Sequence, residues 1–488
     1  MTTYTSAPHV LVIDTPGLGD RSYVVHDGRH ALVVDPQRDI DRVEHLLAEH
    51  GLHLTHVLET HVHNDYVSGG LVLASRHEAQ YVVPGGVDLA YPCTPVDDGD
   101  TFEVGELSVR VLHTPGHTPH HKSFAVTRGD HPGAVFTGGS MLYGAVGRPD
   151  LIGPDATVGL AHDQWHSVRR IADELELTTH VYPTHGFGSF CAATQNEGTR
   201  GTIADERSSN PALTQDEAAF VESMLAALDV FPAYYVHMGP ANAAGPGAID
   251  LSLPEPAEPA ELRRRIDAGE WVIDLRSREV FARGYVRGTL NFDLDGPFIA
   301  YLSWLVPWGM PVTLLGETRE QVEAAQREMV RIGIDRPAAQ AVGGLDFWVD
   351  DTRDVATMQR VDFAELATIL ADDPDAYLLD VRQVLEWVDG HLVGAHLVPF
   401  YEIPDRIDEL PGDRALYVYC GSGYRASAVS SLLTQHGRHV VHVDDDWDDA
   451  ARAGLPIEKG EAPQHEPGWT WKVSRGTARS FQPASGAA

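Results

Sequence analysis

Cysteine, lysine and long apolar runs are all scarce in this sequence, and each scarcity excludes something. Three cysteines (Cys93, Cys191 and Cys420) among 488 residues cannot build a disulfide framework, so a reducing cytoplasm is the expected compartment. No apolar run approaches the ~20 residues of a membrane span. Residues 1–8 lack a basic stretch followed by an apolar core, so no secretory signal is expected. Only Lys122, Lys459 and Lys472 are lysines among 36 basic residues, which face 71 acidic ones for a formal charge of −35. Such a chain repels phosphate backbones, which argues against nucleic-acid binding.

What is present is an ordinary globular balance, 43% hydrophobic and 22% charged, over a length that calls for two to four domains. Residues 1–240 alternate short β-rich runs with helical stretches, with strands expected at 31–35 and 56–60 around a helix at 40–50. Residues 241–257 are rich in Gly, Pro and Ala and read as a linker. An internal repeat follows. A shift of 106 residues aligns Asp274, Arg276, Phe281, Gly284 and Gly288 with Asp380, Arg382, Trp387, Gly390 and Gly394. A shift of 104 then brings Gly333 onto Gly437. Two copies of one α/β domain are expected, at 258–352 and 357–462, each with buried parallel strands. Residues 463–488 read as a loosely held tail that Trp469 and Trp471 can dock.

The densest chemistry is Thr60-His61-Val-His63-Asn-Asp65-Tyr66, directly after an expected strand. His61 and His63 can both turn toward one ion and Asp65 adds a carboxylate, a donor set suited to a first-row divalent metal. His117 follows a Pro-Gly turn in a second loop, and His185 ends Tyr182-Pro-Thr-His in a third. One such loop is within chance for a chain of 26 histidines; three in order, each after an expected strand, are not.

These three loops resemble the metallo-β-lactamase fold family over residues 8–240. The resemblance implies an αββα sandwich with metal held at one edge. The flanking text, Asp35-Pro-Gln, His113-Thr-Pro-Gly-His117 and Gly147-Arg-Pro-Asp150, is similar to the persulfide dioxygenases. Those enzymes use one non-haem iron to oxidise a thiol persulfide to sulfite, which implies a glutathione-type thiol and hydrogen sulfide metabolism. Two residues depart from the family pattern. The last histidine of the motif is Tyr66, and the carboxylate of a Thr-Gly-Asp segment falls on Gly139. A second metal would keep only Asp65 and His185, so one divalent ion is expected, Fe(II) before Zn(II). His61 and His117 remain of the family's iron ligands, and His63 is the nearest third. By the same reasoning, a Gly139→Asp change should strengthen the site. Cys191, six residues after His185, is either a buried thiol or a second persulfide carrier. Arg148 is either an anchor for an anionic thiol carrier or half of a surface ion pair. Cys93 reads as structural.

The third domain holds a different design. A strand at 416–419 leads into Cys420-Gly-Ser-Gly-Tyr-Arg425 and then a helix. A thiol ringed by backbone N–H groups at a helix start, with Arg425 nearby, is a nucleophile in an anion cradle. Four residues separate Cys420 from Arg425, a tighter loop than the phosphate ring of tyrosine phosphatases. With Asp380 and Arg382, the segment 357–460 resembles rhodanese domains, which carry sulfane sulfur as a cysteine persulfide. In the second domain Gly316 and Gln321 stand where Cys420 and Arg425 do, so that copy is expected to be inactive. The whole is expected to couple thiol persulfide, sulfite and thiosulfate chemistry. A glyoxalase-II-like thioester hydrolase and a sulfur carrier with a degenerate metal site are the rivals, and a homo-oligomer is left open.

Overall fold

Strand alternation builds the first unit. In the computed structural model, which describes residues 7–194, 198–461 and 469–480, a six-stranded sheet runs in the order His9–Thr15, Asp20–His26, His30–Val34, His53–Leu58, Gln80–Pro84, Thr94–Val96. Tyr23, Val25, Leu32, Val34, Leu58 and Val82 share one core with Val109, Val111, Phe124 and Phe136 of a second six-stranded sheet. The intervening Val24, Val33, Val57 and Val83 pack instead with Val43, Leu47, Leu73 and Ala74, which lie on the helices Asp41–Glu49 and Gly70–His77. Successive side chains point to opposite faces of a strand, so both faces of this sheet are covered. The second sheet does the same. Its Val135 and Val181 pack against Ala161, Val168 and Ile171 of the helix Pro154–Glu174. The result is the αββα sandwich, with the histidine loops leaving the strand ends at one edge.

The described residues divide into two compact units, the first made of those within 1–249, 330–333 and 466–475, the second of those within 250–329, 334–465 and 476–488. In the second unit, four parallel strands run in the order Leu290–Asn291, Trp271–Asp274, Val312–Gly316, Ala339–Val342. Five more run His396–Leu397, Tyr377–Asp380, Leu416–Tyr419, Val440–Val443, Gln359–Val361. The two orders coincide position by position. Even the fifth place has its counterpart, because Pro256 forms a parallel bridge with Gln340 at the same sheet edge.

Two segments differ in local structure from the sequence reading. The helix Tyr235–Ala244 carries the first four residues of the Gly, Pro and Ala-rich stretch, with Pro240 inside it. The tail contains a helix, Trp469–Thr477, where a loose segment was expected; the Trp469 and Trp471 side chains lie outside the described residues.

Candidate metal centre and cysteine loop

Three buried histidines converge at the sandwich edge. Ligand atoms of His61, His117 and His185 lie within 4.8 Å of one another, and so do those of His63, Asp65 and His185. Each ring is oriented by a second contact, as metal-binding imidazoles are. His61 Nδ1 sits 2.9 Å from Thr60 Oγ1, His117 Nδ1 donates to Arg148 O at 2.8 Å, and His185 Nδ1 meets Asp20 Oδ1 at 2.9 Å. His185 Nε2 and His61 Nε2 are then 3.3 Å apart. Asp65 Oδ2 lies 3.2 Å from His185 Nδ1, and His117 Nε2 and His63 Nδ1 are buried without a hydrogen-bond partner. Buried polar atoms are seldom left so. This donor set fits a divalent ion.

The electrostatics divide the rings. Burial, reinforced by neighbouring histidines, drives His61 well below the ordinary imidazole range and His117 down to about 3, so both are neutral and ready to ligate. Burial also works against charge on His63 and His185, but carboxylates overrule it. Asp35 and Glu59 lift His63 to about 10, and Asp65 and Asp20 lift His185 to about 10. His63, the expected third ligand, points its Nε2 at Glu59 (3.1 Å), Asp35 (3.3 Å) and the Tyr66 hydroxyl (3.0 Å). The geometry thus brings His185, rather than His63, to His61 and His117. Tyr66 stacks on His63 with ring centres 4.2 Å apart, which explains what a tyrosine does in place of the family's histidine.

The place of the missing carboxylate is filled. A Cβ at Gly139 would lie 2.6 Å from His117 Cγ and 2.9 Å from its Nε2, and one at Gly147 would lie 2.7 Å from His117 Nδ1. The two glycines form a slot for that imidazole. The expectation that Gly139→Asp strengthens the site is therefore corrected: the new side chain would strike the ring that should bind the ion.

Arg148 and Cys191 are corrected too. Arg148 is buried, with Nε and Nη2 on Asp150 at 2.7 and 2.8 Å, so it is neither a surface pair nor an anchor for an incoming anion. Its backbone carbonyl holds His117 instead. Cys191 is fully buried beside Tyr235 (Sγ to Oη 3.7 Å), and burial pushes its thiol well above the ordinary range. It is a neutral interior thiol, unsuited to carrying a persulfide. Cys93 is partly buried against the helices of the first sheet.

Two residues escaped the sequence reading. Asp35 adopts a left-handed backbone (φ 51) and accepts from Thr60 N at 2.7 Å, Thr60 Oγ1 at 2.8 Å and Thr184 Oγ1. It thereby positions the residues before His61 and His185. Its place in Asp-Pro-Gln after a strand was the available signal. His121 stacks on His61 at 5.1 Å and accepts from Gly139 N at 3.1 Å; nothing in its local pattern distinguished it from His120.

In the second unit, Cys420 follows the strand Leu416–Tyr419 and precedes the helix Tyr424–Gln435, whose cap Gly423 is left-handed (φ 82). The thiol is almost wholly buried, and Ala426 N points at its Sγ from 3.4 Å. Arg425 is held by Glu386. Tyr301, from the preceding repeat, lies with its ring centre 5.7 Å from the Arg425 guanidinium carbon; it is 124 positions from Arg425 in sequence, beyond any local signal. Asp380 and Arg382 are a structural clasp rather than site residues. Arg382 binds Asp380 at 2.6 Å and Gly390 O at 2.7 Å. Arg276 does the same with Asp274 at 2.5 Å and Gly284 O at 2.9 Å, in the copy that has no cysteine. There Gln321 Oε1 accepts from Glu317 N at 2.7 Å and Thr318 N at 3.4 Å. Two N–H groups of that loop are thus taken by its own Gln321, with no sulfur to hold.

A metallo-β-lactamase sandwich joined to a rhodanese module is the class that this fold and these two sites define. The rhodanese-like domain family matches residues 362–453. The persulfide dioxygenase ETHE1 of Bos taurus is 31% identical over 212 residues, covering 42% of this chain and 74% of that protein. The human enzyme is 29% identical over 238 residues, covering 49% and 80%. A solved metallo-β-lactamase structure from Staphylococcus aureus is 27% identical, with a TM-score of 0.64, covering 70% of this chain and all of that one. The chain belongs to the family of persulfide dioxygenase-like proteins fused to rhodanese, enzymes of sulfur metabolism.

Proposed function

We propose that this protein oxidises a low-molecular-weight thiol persulfide to sulfite at a single ion held by His61, His117 and His185, and passes sulfane sulfur through Cys420. The observation that carries the reading is the buried triad of converging imidazoles, with His117 Nε2 left without a partner. Fe(II), favoured over Zn(II), would supply electron transfer between persulfide sulfur and dioxygen. The chain's own part is to hold three ring nitrogens toward one point and to keep His61 and His117 unprotonated. The net reaction is RSSH + O2 + H2O → RSH + SO3(2−) + 2H+. Cys420 persulfide could supply that substrate by passing its outer sulfur to an acceptor thiol, leaving the Cys420 thiolate free. Joining both steps in one chain raises the effective concentration of the intermediate.

Metal analysis combined with oxygen uptake on glutathione persulfide tests the first site. Iron at one per chain, with sulfite formed and both lost in His117→Ala, is the expected outcome. Zinc with thioester cleavage makes the sandwich a hydrolase; no metal and no uptake leaves a sulfur carrier. For the second site, Cys420→Ser should abolish thiocyanate formation from cyanide and keep oxygen uptake, whereas Cys93→Ser and Cys191→Ser should keep both. Sulfur transfer surviving in Cys420→Ser refutes the assignment.

A further inference from the structure

The sulfur loop carries one full cation, and that cation is already paired. Glu386, on the helix Val384–Asp389, grips Arg425 with both oxygens, Oε2 to Nη1 at 2.5 Å and Oε1 to Nη2 at 2.7 Å. A bidentate pair fixes both partners and cancels the guanidinium's net charge toward a second oxyanion. The pair lies over the second residue of the loop: a Cβ on Gly421 would stand 3.0 Å from Arg425 Nη2 and 3.4 Å from Glu386 Oε1. Asp380 and Arg382 neutralise each other alongside. The ring centres of Tyr301 and Phe400 lie 5.7 and 5.9 Å from the guanidinium carbon. Arg425 is thus neutralised where it faces the loop, beside two aromatic rings.

We infer that Glu386 is a specificity-determining residue of the Cys420 site: by cancelling Arg425 it selects organic persulfides over dianionic thiosulfate as the sulfur donor. This deepens the sulfurtransferase reading above and rests on it. In the favoured step the Cys420 thiolate attacks the outer sulfur of R–S–SH. The donor's S–S bond breaks as the new one forms on Cys420, and the donor leaves as thiolate: CysS(−) + RSSH → CysSSH + RS(−). No external oxidant or reductant is needed. Thiosulfate would reach the same state by releasing sulfite, but it must bring two negative charges up to the Glu386 carboxylate.

The test is sulfur transfer to cyanide by the full chain, with thiosulfate and cysteine persulfide as alternative donors. Glu386→Gln should raise the thiosulfate-to-persulfide ratio of kcat/KM about tenfold, the order expected from removing one charge at contact range. That gain should shrink as ionic strength passes ~0.1 M. Glu386→Asp, which keeps the charge, should hold the wild-type ratio. An unchanged ratio in Glu386→Gln, or an equal rise in Glu386→Asp, overturns the inference. The wild type gives a further check that needs no substitution. Its thiosulfate kcat/KM should stay level or rise with salt, and a steep fall would mean that an unpaired cation receives the dianion. Absence of transfer from either donor in the wild type removes the sulfurtransferase reading itself, an outcome distinct from an unchanged ratio.

Discussion

His117 shows how closely a single residue's function depends on what its neighbours lack. The ring is held between Gly139 and Gly147, and its Nδ1 is held by the Arg148 carbonyl. Close packing leaves no room for an added side chain without displacing the ring. Gly139→Asp should therefore lower metal content and affinity, by about tenfold or more for a ligand moved out of place, although it adds a carboxylate. Gly147→Ala should act in the same direction through the other face. Metal titration of the two variants checks this; tighter binding in Gly139→Asp would show that the carboxylate replaces His117 as a ligand.

Among the elements, the hairpin joining Asp20–His26 to His30–Val34 illustrates stabilisation that depends on pH. Asp27 accepts N–H bonds from Arg29 at 2.8 Å, His30 at 2.7 Å and Glu106 at 2.8 Å. Burial opposes its charge, but these bonds win and hold its carboxyl down at about 2 against 3.8. A depressed carboxyl contributes stability that is fully present above its unfolded pKa, near 4, and lost as pH falls through 2. Urea unfolding between pH 6 and pH 2.5 should show the wild type losing stability faster than Asp27→Asn below pH 4, with the two curves parallel above pH 5. Parallel curves throughout would mean that the turn's bonds do not favour the charged form. The Asp-x-Arg clasp makes a related point. The same ion pair, in the same element of both repeats, belongs to the scaffold and is independent of sulfur chemistry.

For the whole molecule, separate cores imply separate transitions. The first unit has its own inter-sheet core and the second has two parallel-sheet cores, so two-state unfolding of the entire chain is not expected. Calorimetry should resolve at least two transitions. Free metal at 100 times Kd should raise only the one belonging to the histidine-bearing unit, by the equivalent of about 2.7 kcal/mol. A chelator should reverse that shift. Movement of every transition together would show that the cores melt as one.

Much of this architecture is legible from the amino-acid order alone, because it is carried by local geometry. A histidine pattern after a strand, a Pro-Gly-His turn and a glycine-rich cysteine loop before a helix each specify backbone shape within a dozen residues. Repeated spacing of Asp, Arg and Gly likewise disclosed two copies of one strand order. The tertiary structure alone decided how side chains from distant segments aim and which of them are desolvated. It turned His63 toward Asp35 and Glu59, brought His185 to His61 across 124 positions, sealed Arg148 and Cys191 in the interior, and closed Glu386 on Arg425 from 39 positions away. Burial sets the cost of each unpaired charge, and burial is a property of the packed chain.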